Sequence, residues 1–358
     1  LIFRKSLAFI LVLWAVITVA PGAAEAVTPG QRIVLFSGPG WVLHGATYDL
    51  DCANNRFFVQ GRTAPPGAVL TVSRASVGTD LLPTSPSGYA YNTFQSGQLR
   101  ITSGLGCLIE ESRINRLLNS ATPATQTTAS LATGTYTLWV NGSGSATMSS
   151  GTATGCGTSA ASQGTPVNFT ITVAGTCTVT VSGSLNAFQL ELGAFGTSFI
   201  PTAGAIVTRA TDIVTLSGLT GFANGMSIYA TGTPEAPNST PNNQVIASLS
   251  DGTNNNRFQV GRLGSPAGAS NLALIRSGSS LWNQNGGTWN QATLGKFTAY
   301  AIPGLQAAQF DGVALTGATS ATIPSVSVLD VGARADGGVL FDGYISRIAV
   351  APTSLLTD

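Results

Sequence analysis

Charge is scarce in this chain. Of its 358 residues, 9% are Asp, Glu, Lys or Arg, against about a quarter in ordinary soluble domains. The formal net charge is +1, and two of the cations are lysines, Lys5 and Lys296. No broad phosphate-binding footprint exists, so nucleic acid is excluded as a partner. Histidine is scarcer still. The one present, His44, rules out a His-cluster metal site and confines any Ser-His-Asp triad to itself. Long helical patterns are nearly missing. What is abundant is Gly (43), Thr (44) and Ser (35), together about a third of the chain. Hydrophobic residues reach 43%, which excludes a disordered polyelectrolyte. The length allows two or three domains of ordinary size.

Arg4 and Lys5 precede an apolar run from Leu7 to Ala20, broken by Pro21-Gly22 and followed by Ala24-Glu25-Ala26. This is the three-part pattern of a secretory signal over 1–26, with cleavage expected after Ala26. Two other readings stay open. Leu7 to Ala24 is close to the lower length for a membrane anchor. The chain also begins with Leu, which fits a start codon assigned too far upstream. The expected location is secreted or cell-surface with a true signal, and virion-associated otherwise. The four cysteines, Cys52, Cys107, Cys156 and Cys177, contain no C-x-x-C pair, so zinc-ribbon and thioredoxin motifs are absent. An exported chain would pair them, by neighbourhood Cys156 with Cys177 and Cys52 with Cys107. The alternative is four buried free thiols.

Period 2 dominates the hydrophobic pattern. Val167, Phe169, Ile171 and Val173 alternate with Asn168, Thr170 and Thr172; Cys177, Val179 and Val181 alternate with Thr178 and Thr180. Phe188, Leu190 and Leu192 alternate with Gln189 and Glu191; Tyr136, Leu138 and Val140 alternate with Thr137 and Trp139. One apolar and one Thr-rich face describes a half-buried antiparallel strand. Four of these within about 60 residues, with Gly/Ser/Thr turns between, predict a small β-sandwich over 121–203.

Pro201-Thr202-Ala203-Gly204 interrupts the rhythm and reads as a boundary. Beyond it nine short strands are expected, at 213–216, 226–230, 245–249, 257–260, 272–275, 297–302, 309–315, 326–331 and 344–350, building a larger sandwich over 204–358. Asp311-Gly312 between Phe310 and Val313 is a hairpin signal, and Asp251-Gly252 and Asp342-Gly343 mark further turns. The fold class is all-β, with tandem antiparallel sandwiches of jelly-roll type. Residues 27–120, rich in Pro and Gly, read as a small β unit or as an extended arm packed on the downstream sandwiches. Ile109 to Asn119 reads as a helix or as strand plus turn. Asn54 to Arg62 echoes Asn255 to Arg262, without aligned flanks.

Several segments carry a family resemblance. Ser73-Arg74-Ala75-Ser76, followed by Gly106-Cys107-Leu108-Ile109-Glu110-Glu111-Ser112-Arg113-Ile114-Asn115-Arg116-Leu117-Leu118-Asn119-Ser120, resembles a signature of phage and prophage tail or tail-fibre proteins. Gln189-Leu190-Glu191-Leu192-Gly193, Thr197-Ser198-Phe199-Ile200-Pro201-Thr202 and Thr208-Arg209-Ala210-Thr211-Asp212 are similar to that family's joint between two sandwiches. The first of these is a carbohydrate-binding-module-like jelly roll, the second a concanavalin A-like/laminin-G-like domain. Phe341 to Pro352 is similar to the closing strand of the second. The resemblance runs from about Ser73 to the C-terminus. It implies a virion or appendage component, a glycan or cell-surface polymer as ligand, other virion proteins as partners, and a homo-oligomer. An export signal departs from that pattern.

Catalysis is not expected. The E-x-D-x-E spacing that aims two carboxylates at one glycosidic bond is missing, and the adjacent Glu110 and Glu111 would face opposite sides of a strand. His44 has no partner motif. No G-x-S-x-G elbow or Walker A occurs; Gly295-Lys296 and Gly38-x-Gly40 both lack the further glycines. Sugar sites combine aromatic faces with planar amides, and Trp282, Asn283, Asn285, Trp289 and Asn290 supply both within nine positions. The alternative is a hairpin whose tryptophans cover the core. No cofactor is expected. Asp311, Asp330, Asp336 and Asp342 are weak candidates for Ca²⁺, with turn chemistry as the competing role. Asn141, Asn168 and Asn238 head glycosylation triplets and read as surface polar residues.

Overall fold

The computed structural model describes residues 39–86, 90–240 and 242–352. The expected signal segment, 1–26, lies outside them. The regular structure among the described residues is antiparallel strand, apart from one helical turn at Pro66–Val69. The all-β antiparallel class predicted from the alternating pattern is what the chain adopts.

The small sandwich packs a four-stranded sheet on a three-stranded one. The first runs Gln126–Thr127, Cys177–Ser182, Ser145–Ser150, Ala160–Ser162; the second runs Val167–Ile171, Gly134–Gly142, Leu185–Leu192. Between them lie Tyr136, Leu138, Val140, Met148, Val179, Phe188 and Leu190, all with 1% exposure or less. The strand Gly134–Gly142 departs from simple alternation, because its other face is covered too. Trp139 is 1% exposed and packs with Leu81, Ala187 and Phe199. Thr137 donates from Oγ1 to Asn168 Oδ1 at 2.7 Å, and Asn141 Nδ2 donates to Pro86 O at 3.1 Å. A loop from 81–86 is laid across that face, so its polar residues are internal contacts.

The larger sandwich faces a ten-stranded sheet against a seven-stranded one. Both draw strands from far upstream of position 204. Tyr48–Asp51 pairs with Gly343–Ala351 (Tyr48↔Val350), and Arg56–Val59 and Arg62–Ala64 follow it to the sheet edge. Gly106–Ile109 pairs with the start of Gly343–Ala351, and Thr71–Ser73 pairs with Ile213–Ser217 in the opposite sheet. Strands within 48–73 and 101–109 are thus threaded into the two sheets. The main core holds Tyr48, Leu50 and Phe57 from this arm beside Ile228, Leu249, Phe258, Trp289, Phe297 and Ile345. Ile109 to Asn119 forms two strands, ending at Ile109 and spanning Arg113–Asn115, with no helix.

The expected strand 309–315 is split. Asp311 and Gly312 both take positive φ (48° and 80°), the requirement of a tight hairpin turn, so Leu305–Phe310 folds back as Val313–Ala314. At Gly343 a Cβ would lie 2.3 Å from Thr233 O. Only glycine lets the closing strand approach there. The two echoing segments each begin the second strand of a hairpin, Arg56–Val59 and Arg257–Arg262. Two disulfides close the chain on itself: Cys52–Cys107, and Cys156–Cys177 within the small sandwich.

Candidate functional site: a cleft beside a buried ionic joint

The signature-bearing segments converge on one buried polar network. Arg74 Nη1 donates to Asp212 Oδ1 at 2.8 Å, and Arg100 bonds both Asp212 and Glu110. Arg209 Nη1 lies 2.7 Å from Glu110 Oε2. Glu110 also accepts from Ser198 N (2.7 Å) and Ser198 Oγ (2.6 Å), while Glu191 accepts from Thr197 N and Oγ1 at 2.8 and 2.6 Å. Glu111 N–H reaches Asp342 Oδ1 at 2.8 Å. Burial opposes ionisation of Glu110, but Arg209, Arg100 and the Ser198 bond outweigh it and hold the carboxyl at about 2. Asp342 moves the other way, up to about 7, through burial and then the negative charge of Glu111.

Each carboxylate here is met by guanidinium or N–H donors, as buried charge requires. The network joins the 73–76 segment, the end of Gly106–Ile109, the Thr197-Ser198 turn, and the 209–212 segment leading into the larger sandwich. Its role is to fasten. Glu110 has no open face toward solvent and is 3% exposed. Arg100, fully buried, belongs to this network but to none of the sequence motifs. An arginine in a Pro/Gly-rich stretch carries no local signal of its burial.

The Trp/Asn segment is placed differently from the ligand-binding expectation. Trp282 and Trp289 are 3% and 1% exposed, inside the main core. Their Nε1 groups donate to Thr316 O (2.8 Å) and Thr293 O (2.9 Å), and Trp289 packs against Phe297, Phe310 and Phe341. Neither ring presents a face to a sugar. Asn283 and Asn285 are exposed, but each lends its Oδ1 to Asn271 Nδ2 at 2.9 Å, and Asn290 Oδ1 accepts from Asn238. The segment is a core-covering strand, Ser279–Thr288, with amides laddered to its neighbour.

The four aspartates are not brought together. Asp311 Oδ1 accepts from Lys296 N at 2.7 Å and closes its hairpin. Asp330 accepts from Ser250 Oγ at 2.9 Å, and burial lifts it to about 6. Asp336 bonds Arg334 and Asn254, and Arg334 first of all holds it well below the usual carboxylate range. Asp342 serves the joint. Among the described residues no group of three or more His, Cys, Asp or Glu is arranged to hold a metal. His44 is exposed, in the turn preceding Tyr48–Asp51.

Two adjoining cavities open beside the joint. The larger, about 440 Å³, is walled by Leu82, Leu105, Leu294 and Pro86, with Asp80, Glu235, Tyr344 and several hydroxyls between them. The smaller, about 210 Å³, runs on past Thr84 and Glu235, which line both, toward Thr137, Asn168, Phe195 and Gln291. Together they form a cleft between the two sandwiches. Eight separate segments build it. Leu82 N donates to Ser85 Oγ at 3.0 Å, shaping the loop that carries both. Leu105 sits on the turn between Ile101–Thr102 and Gly106–Ile109, and its carbonyl accepts from Ser346 Oγ at 3.1 Å. Glu235 follows Met226–Pro234, pinned by its N–H on Asp342 O (2.9 Å) and its carbonyl on Gln291 Nε2 (2.6 Å). Leu105 and Leu294 are 49% and 59% exposed and give the cleft apolar walls open to solvent.

The carboxyl groups of the cleft have different environments. Asp80 is 1% exposed and accepts from Asn92 N (2.7 Å), Asn92 Nδ2 (2.8 Å) and Thr102 Oγ1 (3.3 Å). Glu235 makes no side-chain hydrogen bond or ion pair with any described residue, and burial, then the charge of Glu110, pushes it up to about 7. Burial likewise raises the Tyr344 phenol. Two carboxyls in one cleft is the arrangement a glycosidase needs. Here both oxygens of Asp80 already accept hydrogen bonds from Asn92, and the residue is 1% exposed. A third cavity, about 320 Å³, lies elsewhere, lined by Trp41, Asn55, Arg56 and Thr63. Arg56 already stacks over Trp41 at 4.7 Å and pairs with Asp51.

No protein-family model matches the sequence, and no curated protein matches it. Among solved structures, the sialidase CBM40 of Ruminococcus gnavus bound to α2,6-sialyllactose aligns with 38% of this chain and 81% of its own, at 14% identity and a TM-score of 0.32. The NanB sialidase of Streptococcus pneumoniae aligns over the same share of this chain, at 17% identity and a TM-score of 0.31, and is spanned over 23% of its length. Mouse laminin α1 domains LG4-5 align with 93% of this chain and 92% of their own, at 10% identity and a TM-score of 0.27.

Proposed function

We propose that the chain is a non-catalytic protein of phage-tail type that holds a glycan or cell-surface polymer in the cleft between its sandwiches. The observation that carries this reading is the cleft itself. Apolar side chains on its walls suit the C–H faces of sugar rings, and Thr84, Ser85, Thr233, Asn168 and Gln291 supply hydroxyl and amide partners. The phage-tail assignment is supported by the signature segments, whose polar residues meet in one joint. Two disulfides support an oxidising compartment, and mass spectrometry of the mature N-terminus, expected at Val27, tests export. A glycan array read with the wild-type chain and with Thr84→Arg tests the ligand class. Thr84 is exposed, so the variant fills the cleft without disturbing the core. The reading expects retention by the wild type and loss in the variant.

A second reading has its own support. The four-stranded sheet of the small sandwich presents a threonine face, with cross-strand hydroxyl pairs Thr127–Thr178 (3.5 Å) and Thr152–Thr176 (3.2 Å). Such a face suits packing against copies of itself or against other virion or appendage proteins. Sedimentation at micromolar concentration separates the readings, since a strict monomer speaks against oligomer packing.

A further inference from the structure

We propose that the cleft selects glycans that carry free amino groups, an ammonium of the ligand pairing with the Glu235 carboxylate while its ring faces rest on Leu82, Leu105 and Leu294. The inference rests on the cleft being the glycan site and adds a ligand class to it. Glu235 lines both cavities, so a ligand passing along the cleft meets it. Among the described residues no lysine or arginine lines either cavity. The other carboxyl, Asp80, is satisfied by Asn92 and Thr102. Among the described residues no cation meets the Glu235 side chain, and an ammonium of the ligand would supply one.

The surroundings reinforce this. Behind the cleft Arg74, Arg100, Arg113 and Arg209 are matched by Glu110, Glu111, Glu191 and Asp212, so the joint has no spare cation for Glu235. Arg262 is engaged elsewhere, with Gln244, Asn238 and the carbonyls of Trp289 and Ala236. A neutral hydroxyl offers Glu235 a hydrogen bond but leaves its charge uncompensated in a partly desolvated site. An ammonium offers both. The raised Glu235 value of about 7, caused by burial and Glu110, is what a carboxyl lacking its counter-ion shows.

The test compares a chitosan tetramer with its fully N-acetylated counterpart by titration calorimetry. The expected result is about tenfold tighter binding of the free amine at pH 7, the order of one charge-assisted pair. The complex shares one proton between amine and carboxyl, and acidification adds a second. The preference should therefore shrink severalfold at pH 5.5. Glu235→Gln should abolish the preference, and Glu235→Asp should keep part of it. Equal binding of both tetramers, or a preference that survives in Glu235→Gln, overturns this inference alone. Failure of both tetramers to bind overturns the glycan reading with it.

Discussion

Arg209 and Glu110, 99 positions apart, meet at 2.7 Å inside the protein, their side chains 0% and 4% exposed. The contact fastens the entrance of the larger sandwich to the strand that precedes the small one. Removing either partner strands the other in a dry site. Arg209→Ala or Glu110→Ala should cost about 3–5 kcal/mol of unfolding free energy. Urea unfolding monitored by tryptophan fluorescence checks this, and a loss below about 1 kcal/mol would make the contact equivalent to a surface pair.

The buried carboxyls set a pH dependence. Glu235, Asp330 and Asp342 are raised to about 7, 6 and 7. Between their ordinary values and these, the folded chain binds more protons than the unfolded one, so stability falls as pH rises through that window. Glu110 at about 2 acts oppositely: its stabilisation is complete above 4.5 and is lost as pH falls toward 2. Tm should peak in the weakly acidic range and decline toward pH 7.5. Glu235→Gln should flatten that decline. A Tm that climbs steadily from pH 4.5 to 7.5 contradicts the assignment.

The two disulfides close loops of 55 and 21 residues. In the loop-entropy account these restrict the unfolded chain by about 4 and 3 kcal/mol. Replacing each pair with alanine should lower the denaturant midpoint, the 52–107 pair more. Cys52–Cys107 ties the arm to the turn bearing Leu105, so its loss should also weaken ligand binding; the 156–177 pair should not.

Trp289 fills the core against Phe297, Phe310 and Phe341. Trp289→Ala should destabilise by about 3–5 kcal/mol, and Trp289→Phe by less. Glycan affinity measured on the folded fraction should not change. A specific loss of affinity at unchanged Tm would return the tryptophans to a binding role.

Much of the architecture is legible in two-residue periodicity. Strands such as Gly295–Ile302, with Phe297, Ala299 and Ala301 inward, bury one face and display the pattern directly. The Asp311-Gly312 turn is legible because positive φ at consecutive positions leaves few residue choices. The arm is not. Its strands run two to four residues, too short to show a period, and they take their register from Gly343–Ala351 and Ile213–Ser217. The Trp/Asn cluster misleads because amides and indoles serve core hairpins as well as sugar sites. Burial alone separates the two. The cleft leaves no signal in any one segment, since loops far apart in sequence wall it and its key carboxyl, Glu235, stands in no motif.

The most direct test of the cleft is amide chemical-shift mapping with a glycan retained on the array. The account predicts perturbations clustered at Leu82, Leu105, Thr233, Glu235, Leu294 and Tyr344. Perturbations confined to Trp41, Asn55, Arg56 and Thr63, or none at saturating glycan, would contradict it.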